Sequence, residues 1–392
     1  MKNIDLCELK IRLQALAIFR GLLKDRVISA LLDFLEKPTV AAYSEFASNL
    51  YETKALSLGE YVGDICENNE NVYVKLVGCK KAVPDYIEVA VKEELKTLQA
   101  VADIKPQKLW DMLDWQGFLP SFGISDIDIT DSFFYRVKNI GKYGYGVYAK
   151  NRMFYVDENN AIIPVANPDE TRFADLIDYE AERQIIIDNT KALLCGKPAA
   201  NILLTGDAGT GKSSTVKAVA NELFSEGLRI IEVRKEQLYA IPKILNELSE
   251  NPLKFVIFID DLSFLKDDDN FNALNAVLEG SVSAKSENVV IYATSNRRHI
   301  IKEKFSDREG DDVHRNDTIQ ELISLSERFG IHITFQKPDK KTFLHIVHHL
   351  AKIHNINMED SELDLLAERF ALERGGRSAR LARQFIDGIL SK

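Results

Sequence analysis

The sequence predicts an α/β protein built on a parallel sheet with helices on both faces. A helical C-terminal segment follows it, and a mostly helical N-terminal domain and a small β-rich connector precede it. Three observations carry this prediction. Apolar runs of strand length alternate with helical segments between residues 171 and 337, as in sheets covered on both sides. One run, NILLT, leads into the glycine-rich GDAGTGKS at 206–213, which opens a helix. Another, KFVIFIDD, is an apolar strand ending in two carboxylates.

In order along the chain, residues 1–125 read as helices. LKIRLQALAIFRGLLKDRVISALLDFLEK has apolar residues at helical spacing, and NVYVKLVGCKKAVPDYIEVAVKEELKTLQAVADI does so after a β-branched opening. Trp110 and Trp115 mark an apolar knot before Pro120. Over 126–170 the period changes. YGYGVYAKNRMFYVDENNAIIPV alternates apolar with polar around the turn-prone DENN, which predicts a hairpin or small meander. Its aromatics (Tyr143, Tyr145, Tyr148, Phe154, Tyr155) are suited either to strand packing or to stacking on bases. Over 171–337 the order is strand NILLTG, helix KSSTVKAVANELFSEG, strand RIIEV, helix IPKILNELSE, strand KFVIFIDD, helix NFNALNAVLEG, strand NVVIYATSN and strand IHITFQ. Residues 338–392 return to helices with KTFLHIVHHLAKIHN, SELDLLAERFALE and SARLARQFIDGIL.

Composition narrows the function classes. In 392 residues, apolar types make up 45% and charged types 28%, values of a globular protein and not of a disordered one. Fifty Lys and Arg against sixty Asp and Glu give a net charge of −10, which argues against a protein that coats DNA by neutralising phosphates. No run approaches the ~18–20 apolar residues that span a bilayer, so no membrane association is expected. The opening stretch carries Asp5, Glu8 and Lys10 through its apolar positions, unlike a signal peptide. Four scattered cysteines (Cys7, Cys66, Cys79, Cys195) fit a reducing cytoplasm.

The chemistry lies in three strand ends. GDAGTGKS has the spacing G-x-x-x-x-G-K-[ST] between a strand and a helix. Gly206, Gly209 and Gly211 let the backbone turn tightly, with Asp207, Ala208 and Thr210 between them, so that N–H groups and the helix N-terminus face a triphosphate. Lys212 is expected to reach the β- and γ-phosphates, Ser213 to ligate Mg²⁺, and Ser214 to complete the nucleotide-binding set at the helix start. In FVIFIDD, Asp260 is placed to organise the metal and Asp261 to act as general base on the attacking water. The third strand ends in Thr294, Ser295 and Asn296, whose amide is suited to hold that water near the γ-phosphate.

With these residues the chain resembles the AAA+ ATPases, P-loop NTPases with a C-terminal helical lid. GDAGTGKS corresponds to Walker A, FVIFIDD to Walker B, and Asn296 to sensor 1. SERFG at 326–330 is similar to the stretch carrying the arginine finger, which makes Arg328 the candidate. GGRSARLARQF at 375–385 resembles the sensor 2 region, with Arg380 the best match and Arg377 second. RFADLIDYEAERQ resembles the segment that packs on adenine, implicating Ile177 and Tyr179. The run from TSNRRH to SERFG is similar to a bacterial family of predicted AAA+ ATPases of unknown function. The resemblance implies an ATPase using ATP and Mg²⁺, assembled head to tail so that Arg328 serves a neighbour's site. It also implies a protein or nucleic-acid client to remodel. One departure is Asp261, where the superfamily usually has Glu. The carboxylate is one methylene shorter, and Glu279 or the acids at 267–269 are nearby in sequence.

Two features stand outside that pattern. The charged stretch 297–321 holds Arg297, Arg298, Lys302, Lys304, Arg308 and Arg315. It is read either as an element contacting a neighbour or polymer, with Arg308 a rival arginine finger, or as a solvated insertion. His345, His348, His349 and His354 share a helix and are expected to be lid-surface residues and not metal ligands. Two other functions remain open: a slowly hydrolysing nucleotide switch or scaffold, and a nucleic-acid loader.

Overall fold

The computed structural model describes residues 5–262, 269–279, 287–296 and 327–391. The chain divides into two compact units, Met1–Lys150 and Asn151–Lys392.

The second unit is organised by a seven-stranded sheet. Its strands are β1 (Met153–Val156), β2 (Ile162–Pro164), β3 (Ile202–Gly206), β4 (Leu228–Glu232), β5 (Lys254–Ile259), β6 (Val289–Ser295) and β7 (Ile331–Phe335). The order across the sheet is β2-β1-β4-β5-β6-β3-β7. Only β1 and β2 pair antiparallel; every other neighbouring pair is parallel. The first helices are α1 (Glu180–Leu194), α2 (Lys212–Leu223), α3 (Ile241–Leu248) and α4 (Asp269–Glu279).

The continuous apolar strands are explained by burial on both faces. Ile202, Leu204, Val256, Phe258, Val290 and Tyr292 form one core with Ile186 and Leu193 of α1 and Val216, Val219 and Leu223 of α2. The alternate residues Leu203, Ile257, Ile259, Ile291 and Ala293 are equally buried, as are Ile241, Ile244 and Leu248 of α3. Period-2 alternation puts these two sets on opposite faces.

Three further helices make the lid: α5 (Lys340–Ile353), α6 (Asp360–Glu373) and α7 (Ala379–Leu390). Phe343, Ile346, Val347 and Leu350 of α5 pack with Leu363 and Ala367 of α6 and with Ala382, Phe385 and Ile386 of α7. The Asp339 carboxylate caps α5 by accepting from the Thr342 amide at 2.7 Å. Ser378 caps α7 by accepting from Leu381.

The first unit is helical, as the spacing of its apolar residues predicts. Helices Arg26–Glu36, Val40–Tyr51, Leu58–Glu67 and Asp85–Ala102 bury one face each around Phe19, Phe34, Tyr43, Phe46, Val91, Leu95 and Phe133. A buried carboxylate ties the first turn to the long helix: Glu94 accepts from the amides of Ala17, Ile18 and Phe19 at 2.9–3.1 Å. The tryptophan knot is split. Trp110 donates to the Tyr43 hydroxyl at 2.7 Å, which donates to the Pro120 carbonyl, whereas Trp115 is half exposed.

The stretch 126–170, expected as a β-rich connector, is helical in its first half. Ile129–Lys138, Ile140–Tyr143 and Val147–Lys150 are helices. Phe133 and Val137 lie four apart and are buried in the helical core, and that burial outweighs the strand preference of the aromatics. The hairpin is present in the second half as β1 and β2, with Asp157 accepting from the Asn159 and Ala161 amides in the turn. Its strand β1 extends the parallel sheet beside β4. Phe154 is buried there, while Tyr143 packs on Tyr135 and lies under the Arg136 guanidinium.

Candidate nucleotide-binding site

The carboxyl ends of adjacent parallel strands are where an α/β sheet leaves a crevice. Here β3 ends in the glycine loop, β5 runs into Asp260 and Asp261, and β6 runs into Asn296. The lid covers the same end. Between them lies a cleft of about 440 Å³.

The loop keeps its shape through glycine at two close approaches. Gly206 has φ +136, and a Cβ there would meet the Phe335 carbonyl oxygen of β7 at 2.0 Å. Gly209 has φ +80, and its missing side chain leaves room for Ser378 and Arg380 of the lid. Thr210 braces the turn by donating to the Asp207 carbonyl at 3.0 Å.

Lys212, the first residue of α2, is buried, and its ammonium points back into the loop. It donates to the carbonyls of Gly206 at 3.0 Å and Asp207 at 2.8 Å, and to Asn296 Oδ1 at 3.1 Å. Burial lowers its pKa, while Asp207, Asp260 and Asp261 oppose that shift. Ser213 Oγ donates to Asp260 Oδ1 at 2.6 Å. A hydroxyl and a carboxylate converging at a loop of amides form an oxygen donor set suited to Mg²⁺. Asn296 Nδ2 donates to Asp261 Oδ1 at 2.7 Å. The amide of Asn296 therefore bridges the ammonium of Lys212 and the second carboxylate.

Most of the residues singled out in sequence line this cleft: Ala208, Gly209, Thr210, Gly211, Lys212, Ser213, Ser214, Asp260, Asp261, Asn296, Arg380, Ile177 and Tyr179. Gly206 and Asp207 stand behind the lining and face it through the carbonyls that Lys212 engages. Ile177 also packs against the lid core. Tyr179, at φ +64, packs on Phe335 and donates to the Gln336 carbonyl at 2.6 Å. Burial first, then Asp178, Glu182 and Asp207, push its pKa up to about 12.

The two lid arginines separate. Arg380 lines the cleft, and its amide donates to the Gly209 carbonyl at 3.3 Å. Arg377, one residue before the cap of α7, makes a two-pronged ion pair with Glu368 at 2.7–2.8 Å instead. Arg328 does not line the cleft. It lies before β7, at the amino end of the sheet, and its Nη1 donates to Asn275 Oδ1 of α4 at 2.6 Å.

Several lining residues had no role in the sequence reading, among them three that bear on the polar end of the cleft. Arg383 is three residues after Arg380 on α7, a spacing that puts both on one helix face. Arg183 is four residues after Tyr179; it is buried and bonded to the Asp178 carbonyl and to Glu180. Thr294 contacts both acids of the β5 end. The apolar wall comes from Leu176, Ile346 and Leu350.

The side chains of Glu279 and of the acids at 267–269, and the insertion 297–321 with Arg308, lie outside the described residues. His345 faces Asp178 at 3.2 Å and His348 faces Asp364 at 2.7 Å. Among the described residues no group of three or more His, Cys, Asp or Glu side chains is placed to hold a metal ion. No helix there is long and apolar enough to cross a membrane.

A glycine loop, an acid-ended strand, an Asn-ended strand and a helical lid surround one cleft at the carboxyl end of a parallel sheet, the arrangement expected from the resemblance to the AAA+ ATPases. Residues 149–392 match the family described as a protein of unknown function, DUF815, and the chain belongs to that family. No curated protein matches its sequence. Among solved structures it is similar to the RuvB Holliday junction branch migration motor of Thermotoga maritima. The identity is 16% and the TM-score 0.38, over 55% of this chain and 63% of that one. A point variant of the same protein gives 16% and 0.37 over the same shares. The chain thus spans less than two thirds of the length of these solved structures, and the likeness is too slight to bear on its role.

Proposed function

We propose that the protein is a Mg-ATP-dependent ATPase that couples hydrolysis to a conformational change acting on a protein or nucleic-acid client. The observation that carries this reading is the chain Lys212–Asn296–Asp261, set beside the Ser213–Asp260 pair in one cleft. It joins a cation suited to phosphate, a donor set suited to a divalent ion and a carboxylate suited to a water. They come from the start of α2, the end of β5 and the end of β6.

In this mechanism ATP lies with its base end against Ile177, Leu176, Ile346 and Leu350 and its phosphates against the loop amides. Lys212 holds β- and γ-phosphate oxygens. Ser213 and Asp260 hold Mg²⁺, which when bound neutralises phosphate charge. Asp261 accepts a proton from the attacking water, and Asn296 orients both. Arg380, on the lid and in contact with the loop through its amide, reports the nucleotide state to the lid. Arg328 acts on the site of a neighbouring copy in a head-to-tail assembly.

The experiment is phosphate release with Mg-ATP by the full-length protein and by Lys212→Ala. The wild type is expected to turn over. The variant is expected to lose nucleotide binding and turnover together, since its only change at the phosphates is the missing ammonium. A wild type that releases no phosphate at any protein concentration contradicts the ATPase reading.

A second reading has a specific observation behind it. The Asp261 carboxylate is short and held by Asn296, an arrangement that suits a slow nucleotide switch docking a partner. Binding with turnover slower than nucleotide exchange distinguishes it.

A further inference from the structure

Thr294 lies within the buried end of β6, in register with Leu204 of β3, and is 2% exposed. Its Oγ1 donates to Asp260 Oδ1 at 2.5 Å and accepts from the Asp261 amide at 2.9 Å. Its own carbonyl accepts from the Leu262 amide at 2.6 Å. One residue therefore grips three successive positions of the acid turn, through side chain and main chain.

The turn it grips is unusual. Asp261 has φ +54, in the left-handed region that side chains other than glycine rarely enter and that Asp and Asn enter most readily. In this conformation the Asp261 amide faces Thr294 and, at 3.2 Å, Asp260 Oδ1. The Asp261 carboxylate meets Asn296. Asp260 Oδ1 thus collects Ser213 Oγ, Thr294 Oγ1 and the Asp261 amide.

We propose that Thr294 is a positioning residue for both acids. Its donated hydrogen bond sets the rotation of the Asp260 carboxylate toward the metal. Its accepted one holds the left-handed corner that aims Asp261 at Asn296. The same corner accounts for Asp where a longer acid is usual, because the left-handed region disfavours Glu more than Asp. This rests on the reading of the cleft as a Mg-ATP site.

Valine matches threonine in shape and supplies neither hydrogen bond, while serine supplies both. The test compares wild type, Thr294→Val and Thr294→Ser in two measurements. The first is the Mg²⁺ concentration that gives half of the ADP-induced rise in melting temperature, at fixed ADP. The second is kcat with Mg-ATP. Thr294→Val is expected to need about tenfold more Mg²⁺ or beyond, and to lose about tenfold or more in kcat, the scale seen when a group orienting a metal ligand is removed. Its ADP shift without Mg²⁺ stays that of the wild type, and Thr294→Ser returns both quantities close to wild type. Should Thr294→Val fold poorly, Thr294→Ala carries the same comparison.

A Thr294→Val protein with altered melting temperature but wild-type Mg²⁺ dependence and kcat overturns the proposal, since a packing role alone moves only the first. A wild type in which ADP, with or without Mg²⁺, leaves the melting temperature unmoved overturns the reading beneath it, and the proposal with it.

Discussion

Arg328→Ala is expected to lower turnover by about 10³–10⁵-fold, the range of arginine fingers in phosphoryl transfer, while leaving nucleotide binding by each subunit nearly intact. The sheet explains why this arginine cannot serve its own site. Arg328 precedes β7, the edge strand beside β3, and runs with it in parallel. The glycine loop is at the carboxyl end of β3. Five residues of strand separate the two levels, about 16 Å at the usual rise, beyond the reach of an arginine side chain. A neighbour packed head to tail can receive it.

Mixing Arg328→Ala with Lys212→Ala is then expected to restore part of the activity where an intact loop meets an intact arginine. Steady-state phosphate release on exchanged mixtures checks this. The alternative is that Arg328 only secures α4 through Asn275. In that case the variant would lose melting temperature and mixing would restore nothing.

Asp261→Asn is expected to bind Mg-ATP as the wild type does and to lose about 10²–10⁴-fold in turnover, the usual contribution of a general base. Asn keeps the left-handed conformation at φ +54, so the corner survives and only the proton acceptor is lost. Asp260→Asn is expected to weaken Mg²⁺-dependent binding as well, because Asp260 Oδ1 takes the Ser213 hydroxyl. Titration of binding against Mg²⁺ separates the two acids. Asp261→Asn turning over at the wild-type rate would transfer the base role to another acid.

Much of this site was legible in the sequence because its parts are local. A glycine loop between a strand and a helix, and acids or amides just past apolar strands, are short-range patterns. The strands were legible because both faces are buried, which removes polar residues from them. Legibility failed where the answer depends on tertiary packing. The alternation that begins at Tyr143 suggested strands through 126–170, yet Ile129–Lys138, Ile140–Tyr143 and Val147–Lys150 are helices, and Phe133 and Val137 find a helical core. Arg380 was the better match in sequence and Arg377 the second, but what parts them is tertiary: the cap at Ser378 and the acid at Glu368 hold Arg377 on the lid, while Arg380 lines the cleft. Arg383 was within reach of a helix-periodicity argument from Arg380. Thr294 was not, because a threonine at the end of a buried strand ordinarily reads as packing. The left-handed backbone at Asp261 leaves no pattern at all.

The most direct test of the central claim is the melting temperature of the full-length protein with saturating Mg-ATP. At about 100 times Kd, binding to the native state adds about 2.7 kcal/mol of stability. For a folding unit of the size of Asn151–Lys392 this corresponds to a rise of roughly 5–10 °C. That rise, abolished in Lys212→Ala, is the predicted result. A wild-type melting temperature that saturating Mg-ATP leaves unmoved would contradict the assignment of the cleft as a nucleotide site.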